Sequence, residues 1–167
     1  MEQIQAYHRE AAVAYAHQWA YRRNPDYYDF SGIGGDCTNF ASQCLFAGAG
    51  IMNWIPTFGW YYRSIHDRTP SWTGVTFLYD FLTRNEGAGP FASEVTLRQV
   101  EPGDLIQLAV SGHTEYHHTP VIVRIDGTPS LQTILVAAHS NDCDWRPLST
   151  YPITKLRCLH IEGVRTQ

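Results

Sequence analysis

One short segment, residues 34–44, constrains the fold of this chain more than any other. It reads GGDCTNFASQC, two glycines and an aspartate before a cysteine and a run of residues with helical spacing. The glycines permit the backbone dihedrals of a tight turn, and Asp36 is predicted to cap a helix that begins at Cys37. Apolar residues then recur three or four positions apart, until Gly48 and Gly50 end the helix.

The position of Cys37 at this predicted helix start suits covalent chemistry. A thiol there lies at the positive end of the helix dipole, which favours the thiolate over the thiol. Because the thiolate is the nucleophilic form, the pattern predicts a reactive cysteine with a pKa below the usual value of about 8.5. A buried structural cysteine is the alternative interpretation.

The rest of the chain supplies helices before the nucleophile segment and strands after it. A first helix is predicted over residues 3–23, and another follows residues 71–73 and runs to about residue 82. Strand-like runs at residues 102–108, 117–125 and 133–139 are joined by short turns, which is typical of an antiparallel meander. His118 near the start of one strand and His139 at the end of the next are therefore expected to lie side by side.

The whole pattern resembles a known family. The stretch GGDCTNFASQCLFAGAG is similar to the nucleophile motif of the bacterial "putative amidase" domain family, which is related to the NlpC-type and CHAP-type cell-wall peptidases. The similarity continues, in order, through residues 7–16, 24–28, 71–73, 102–106 and the two histidine-bearing strands. It implies one papain-like α+β domain over residues 1–167, with the nucleophile helix packed on an antiparallel sheet of about five strands.

The resemblance also implies roles for three side chains. Cys37 is the expected nucleophile, His118 the general base, and His139 the residue that orients the imidazole. His117 is the alternate base, because neighbouring strand residues face opposite ways and a register slip of one residue would exchange the two histidines. Asn141, in the loop after His139, is the alternate third member.

Four residues near the nucleophile are candidates for binding the substrate: Tyr27, Tyr28, Asp36 and Trp72. The tyrosines precede the nucleophile turn, where the related cell-wall enzymes bind substrate, and Trp72 closes an aromatic stretch that suits a groove wall. Ordinary core packing is the alternative for the aromatic rings, and helix capping for Asp36. The backbone N–H of Cys37 is the expected donor to an oxyanion.

The implied activity is hydrolysis of an amide bond through a thioester. The resemblance points to peptidoglycan stem peptides or related short peptides as substrate, with no cofactor or metal. Acyl transfer by the same residues and a non-catalytic peptide- or glycan-binding module are the alternatives. Metal binding is a competing interpretation, because His113, His117, His118 and Cys143 are possible zinc ligands. Neither HExxH nor paired CxxC spacing supports it.

Composition argues against several other classes of protein. A net charge of −4 with scattered Lys and Arg predicts no nucleic-acid partner, and no apolar run approaches the ~20 residues of a membrane span. Four cysteines, one of them catalytic, do not form a disulfide framework, and Cys44 and Cys158 are expected in the core. The first five residues lack the features of a signal peptide, which indicates a cytoplasmic protein or a domain of a longer exported one. The sequence specifies no oligomeric state.

Overall fold

The computed structural model describes residues 3–167. Four α-helices and nine strands follow one another along these residues, with short 3₁₀ turns between some of them. The helices are α1 (Arg9–Trp19), α2 (Cys37–Ala49), α3 (Pro70–Thr73) and α4 (Val75–Arg84). The strands are β1 (Ile4–Gln5), β2 (Tyr62–Ser64), β3 (Asp67–Arg68), β4 (Gly89–Val95), β5 (Leu105–Val110), β6 (Val121–Ile125), β7 (Ile134–Ala138), β8 (Cys143–Pro147) and β9 (Ile153–Arg165).

The fold is α+β, built on a curled antiparallel sheet. The sheet has seven strands rather than the expected five. The long strand β9 organises it, because β4 pairs along one edge while β5 and β1 pair along the other. Strands β6, β7 and β8 then continue outward from β5, as the meander pattern predicted. The hairpin β2–β3 forms a separate small sheet.

Alternation along the strands divides the core between the two faces of the sheet. Leu105 and Val121 pack in a cluster with the helices, whereas their neighbours Ile106 and Ile122 pack in a second cluster on the other face. Helix α2 lies in the first cluster and is buried over most of its length. Its first residue, Cys37, is therefore positioned by a helix that is packed in the core.

The first helix differs from its prediction. It begins at Arg9 rather than residue 3, because Ile4 and Gln5 pair with Arg165 and Val164 of β9. The prediction of α2 is confirmed, with Gly50 in a left-handed conformation (φ 69°) just after its last residue. Helix α4 occupies the stretch predicted as a helix after residues 71–73, and residues 71–73 themselves form the short helix α3.

Candidate active site

The chain enters α2 through a turn that needs glycine. Gly34 and Gly35 have φ values of 82° and 103°, in the region that residues with a Cβ rarely adopt. A Cβ on Gly35 would also lie 3.4 Å from Oγ of Ser140, in the loop after β7. The backbone N–H of Asp36 donates to that same hydroxyl (3.3 Å). The turn before Cys37 is thus tied to the end of β7.

Asp36 does not cap the helix, contrary to the sequence prediction. Its carboxylate makes no capping hydrogen bond and is fully buried. One oxygen accepts from the backbone N–H of Phe30 (2.8 Å) and from the amide of Asn39 (2.9 Å), and the other lies 2.5 Å from Nδ1 of His139. A carboxylate with all of these neighbours supports the nucleophile turn and is closed to a substrate, so its assignment as a binding residue is corrected.

His139 also helps to hold the turn before Cys37. Its ring stacks on Phe40 of α2 with centroids 4.0 Å apart, and its Nε2 donates to the carbonyl of Trp19 (2.8 Å). Nδ1 thus faces the Asp36 carboxylate and Nε2 faces the Trp19 carbonyl, with Nη1 of Arg23 also 3.3 Å from Nε2. The structure therefore joins His139 to Asp36 and to the end of α1, and places neither of its nitrogens on His118.

Arg23, which is partly exposed, adds to the polar cluster around Asp36 and His139, and the sequence interpretation did not identify it. Its guanidinium binds both oxygens of Asp142 (2.9 and 3.1 Å) and its Nε donates to Asp29 (3.2 Å). It also lies 3.7 Å from Asp36. We call Arg23, Asp36, His139 and Asp142 the support cluster. No spacing in the sequence pairs an arginine after α1 with acids 13 and 119 residues away.

The polar residues that follow Cys37 in α2 also have partners. Thr38 bonds Thr119 on the strand side (3.1 Å), and Asn39 bonds the carbonyl of Tyr28 and the indole N–H of Trp72. The thiol of Cys37 has only long contacts, 3.7 Å to Oγ1 of Thr38 and 3.6 Å to the carbonyl of His117. Of the polar side chains in the motif, the thiol is the least engaged.

The thiol borders a cavity of about 340 Å³, a size that suits a small ligand. The cavity brings together Cys37, both candidate bases and the alternate Asn141, but not His139. Its lining is Gly34, Gly35, Cys37, Val110, His117, His118, Ser140, Asn141, Arg146, Tyr151 and Pro152.

The two adjacent histidines differ in their surroundings. His118 is buried, and its Nε2 lies 3.4 Å from the hydroxyl of Tyr151. His117 is more exposed, stacks on His113 with centroids 3.7 Å apart, and accepts from the backbone N–H of Val110 (3.2 Å). Accepting that bond occupies Nε2 of His117, whereas Nδ1 of His118 stays available if its Nε2 donates to Tyr151.

Burial lowers the pKa of His118 to about 4, with the neighbouring His117 and Arg146 adding to the effect. The imidazole is therefore neutral near pH 7, which is the form that accepts a proton. Burial raises the pKa of the Cys37 thiol, and the Asp36 carboxylate raises it further. The expected low thiol pKa is wrong for this structure, because desolvation outweighs the weak hydrogen bonds from Thr38 and Thr119 and the favourable helix end. The resting pair is a thiol and a neutral imidazole.

The aromatic candidates lie away from the cavity. Trp72 is fully buried beneath Tyr27, with ring centroids 5.9 Å apart, and its indole is bonded to Asn39. It is a core residue, so its assignment to a substrate groove is corrected. Tyr27 and Tyr28 line a shallow depression with Tyr62, separate from the cavity of Cys37.

Tyr151 and Arg146 line the cavity and had no role in the sequence interpretation. The guanidinium of Arg146 lies 3.6 Å from the centre of the Tyr151 ring. The hydroxyl of Tyr151 also lies 3.6 Å from Sγ of Cys143, which the sequence analysis named only as a member of the alternative zinc site. All four cysteines are free, and Cys44 and Cys158 are buried as predicted.

Over residues 3–167, no three His, Cys, Asp or Glu side chains are grouped so that they could hold a metal ion. None of the helices described there is both long and apolar enough to cross a membrane.

Comparison with known proteins supplies the family. An uncharacterized protein of Bacillus subtilis (strain 168), YhbB, is 36% identical over 123 residues, which are 72% of this chain and 38% of that protein. The chain thus spans well under half the length of this relative. No solved structure matches. The family model described as "Putative amidase domain" matches residues 6–161, nearly the whole chain. The chain therefore belongs to this amidase domain family.

Proposed function

We propose that this protein is a cysteine-dependent amide hydrolase, with Cys37 as nucleophile and His118 as general base. The observation that carries the proposal is the shared cavity. A thiol at a helix start and a neutral, buried imidazole line the same cavity, while the polar side chains around the thiol are engaged elsewhere. Nucleophile and base within one cavity are the minimum that acyl transfer through a thiol requires.

The proposed reaction starts from the neutral thiol of Cys37 and the neutral imidazole of His118. Nδ1 of His118 takes the thiol proton as Sγ of Cys37 attacks the amide carbon, which forms a C–S bond and an oxyanion. Among residues 3–167 no acceptor bonds the backbone N–H of Cys37, so this group is free to donate to the oxyanion. The imidazolium returns its proton to the leaving amine as the C–N bond breaks. Water, activated by the same imidazole, then hydrolyses the thioester.

We assign different positioning roles to the two other polar partners. Tyr151 accepts from Nε2–H of His118, which leaves the Nδ1 lone pair directed toward catalysis. His139, the third member implied by the resemblance, acts one step away by holding Asp36 and so the turn that presents Cys37. Asn141 lines the cavity and is placed to contact a substrate instead.

Short peptides, peptidoglycan stem peptides among them, are the substrates we propose. The family description supports an amide bond, and the small cavity favours a short segment around that bond. Acyl transfer to an acceptor other than water would use the same two residues.

The test is hydrolysis of a defined muropeptide and short-peptide panel, followed by mass spectrometry. We expect one amide bond to be cleaved, and rapid acid quenching to trap a thioester on the peptide that contains Cys37. Cys37→Ser is the matched control, because a serine hydroxyl there is hardly ever ionised. Binding of a panel member without cleavage by the native protein would instead favour the non-catalytic binding module, and cleavage by Cys37→Ser would exclude Cys37 as nucleophile.

A further inference from the structure

The cavity beside Cys37 has one permanently charged side chain. Its lining includes no aspartate or glutamate, and Arg146 is its single arginine or lysine. The nearby acid Asp142 is bound by both nitrogens of Arg23, so it does not neutralise Arg146. The cavity is therefore positive, although the chain as a whole has a net charge of −4.

Arg146 has no acidic partner, in contrast to several other arginines of the chain. Arg9, Arg23, Arg63 and Arg124 each form an ion pair with an aspartate. Over residues 3–167 no carboxylate lies within ion-pair distance of Arg146; its partners are the hydroxyl of Thr150 (2.7 Å from Nε) and the carbonyl of the same residue (3.3 Å from Nη2). Arg146 also forms a side-chain hydrogen bond with Tyr151, and because a guanidinium has five N–H hydrogens, some of them remain free for a ligand.

The guanidinium is nevertheless held in place. The Tyr151 ring lies under it at 3.6 Å, and the two bonds to Thr150 fix its plane. Strand β8 is anchored in turn, because Asp144 binds His17 of α1 (2.7 Å) and Trp145 stacks on the same ring. An oriented arginine with unused hydrogens presents its end-on fork to a carboxylate at little further entropic cost.

Resting on the proposed function, we propose that Arg146 binds an anionic group of the substrate, so that the preferred substrates are amides with a carboxylate near the scissile bond. The position of Arg146 relative to the reacting groups supports this, since its guanidinium stacks on the same Tyr151 whose hydroxyl contacts His118. Its charge also contributes to the low pKa of His118. A substrate carboxylate bound to Arg146 would therefore lie close enough to His118 to interact with it electrostatically.

The experiment uses two small alkylating reagents that differ in charge and need no knowledge of the substrate. Iodoacetate and iodoacetamide both react with the thiol of Cys37, and peptide mapping reports the rate at that residue alone. The ratio of the two rates cancels any change in the thiolate fraction. We expect the iodoacetate preference to fall about ten-fold in Arg146→Gln, and to fall in the native protein as salt is added. Arg146→Lys, which retains the charge but not the fork, should give an intermediate ratio.

Arg124→Gln is the matched control, because Arg124 is paired with Asp126 and does not line the cavity. Its ratio should equal that of the native protein. Equal ratios in native protein and Arg146→Gln, both folded by circular dichroism, would overturn the anionic subsite and leave the proposed hydrolase intact. A Cys37 that reacts with neither reagent even in alkaline buffer, where the raised thiol pKa no longer limits the thiolate, would overturn the nucleophile and the subsite together. For any peptide that is cleaved, the native protein should prefer the free carboxylate over its carboxamide, and Arg146→Gln should not.

Discussion

The two sides of Cys37 differ in how fully their polar side chains are hydrogen-bonded. On one side Asp36 and His139 of the support cluster are buried, Arg23 and Asp142 are partly exposed, and Asp36 alone has neighbours in three segments of the chain. On the other side His118, Tyr151 and Arg146 surround the cavity with long contacts and unused donors. Buried polar groups must be satisfied or they cost stability, whereas groups that handle a substrate must keep hydrogen-bonding capacity free. The comparison supports the proposal that the first side maintains the turn and the second carries the reacting groups.

The largest expected effect comes from removing the base on the cavity side. His118→Ala should lower kcat/KM by about 10²- to 10⁴-fold, the usual contribution of a general base, while the fold is retained. His117→Ala is the matched control and should change activity little, since that ring is bonded to Val110 and stacks on His113. Kinetics of both variants on one cleaved peptide test this. A dead His117→Ala beside an active His118→Ala would make His117 the base.

Substitutions in the support cluster are expected mainly to lower the free energy of unfolding. Asp36→Ala leaves His139 and Arg23 without their buried partner, and we expect a loss of about 3–5 kcal/mol in the free energy of unfolding. Asp29→Ala, which removes a half-exposed partner of the same arginine, should cost less than about 1 kcal/mol. Urea denaturation measures both. Equal midpoints for the two variants would contradict the distinction between the support cluster and the exposed surface.

The pH dependence of activity and stability should report on His118, on the cavity side. His118 has a folded pKa of about 4, below its unfolded value of about 6.5. Its contribution to stability is therefore present above pH 6.5 and is lost as pH falls through 4, because the unfolded chain binds the proton more readily. We expect activity to persist to about pH 5, and the acid loss of stability to be smaller in His118→Ala. An activity midpoint near 6.5 would contradict a buried neutral base.

The smallest effect is expected from Tyr151→Phe. The ring under Arg146 remains, and only the hydroxyl that contacts His118 and Cys143 is lost. A single hydrogen bond of about 1 kcal/mol predicts a several-fold fall in activity. The fall should appear in kcat rather than KM, since the hydroxyl positions the base. Unchanged kcat would show that another group orients His118.

Much of this arrangement is readable from local sequence. The glycine turn, the helix that starts at Cys37 and the antiparallel meander follow from residue types and periodicity, because each depends on neighbours a few positions away. The extra strands do not follow, since β1 is only two residues long and exists through its pairing with β9. A segment that short has no periodicity to detect.

The sequence by itself determined the nucleophile helix, the order of the histidine-bearing strands and the family. Only the tertiary structure decided what each polar side chain contacts. Asp36 has the chemistry of a cap and serves as the centre of a polar cluster, and His139 joins that cluster instead of His118. Arg146 reaches the cavity from β8, and Tyr151 from the short segment between β8 and β9. Such contacts join residues about a hundred positions apart, and burial, rather than the helix end, sets the thiol pKa.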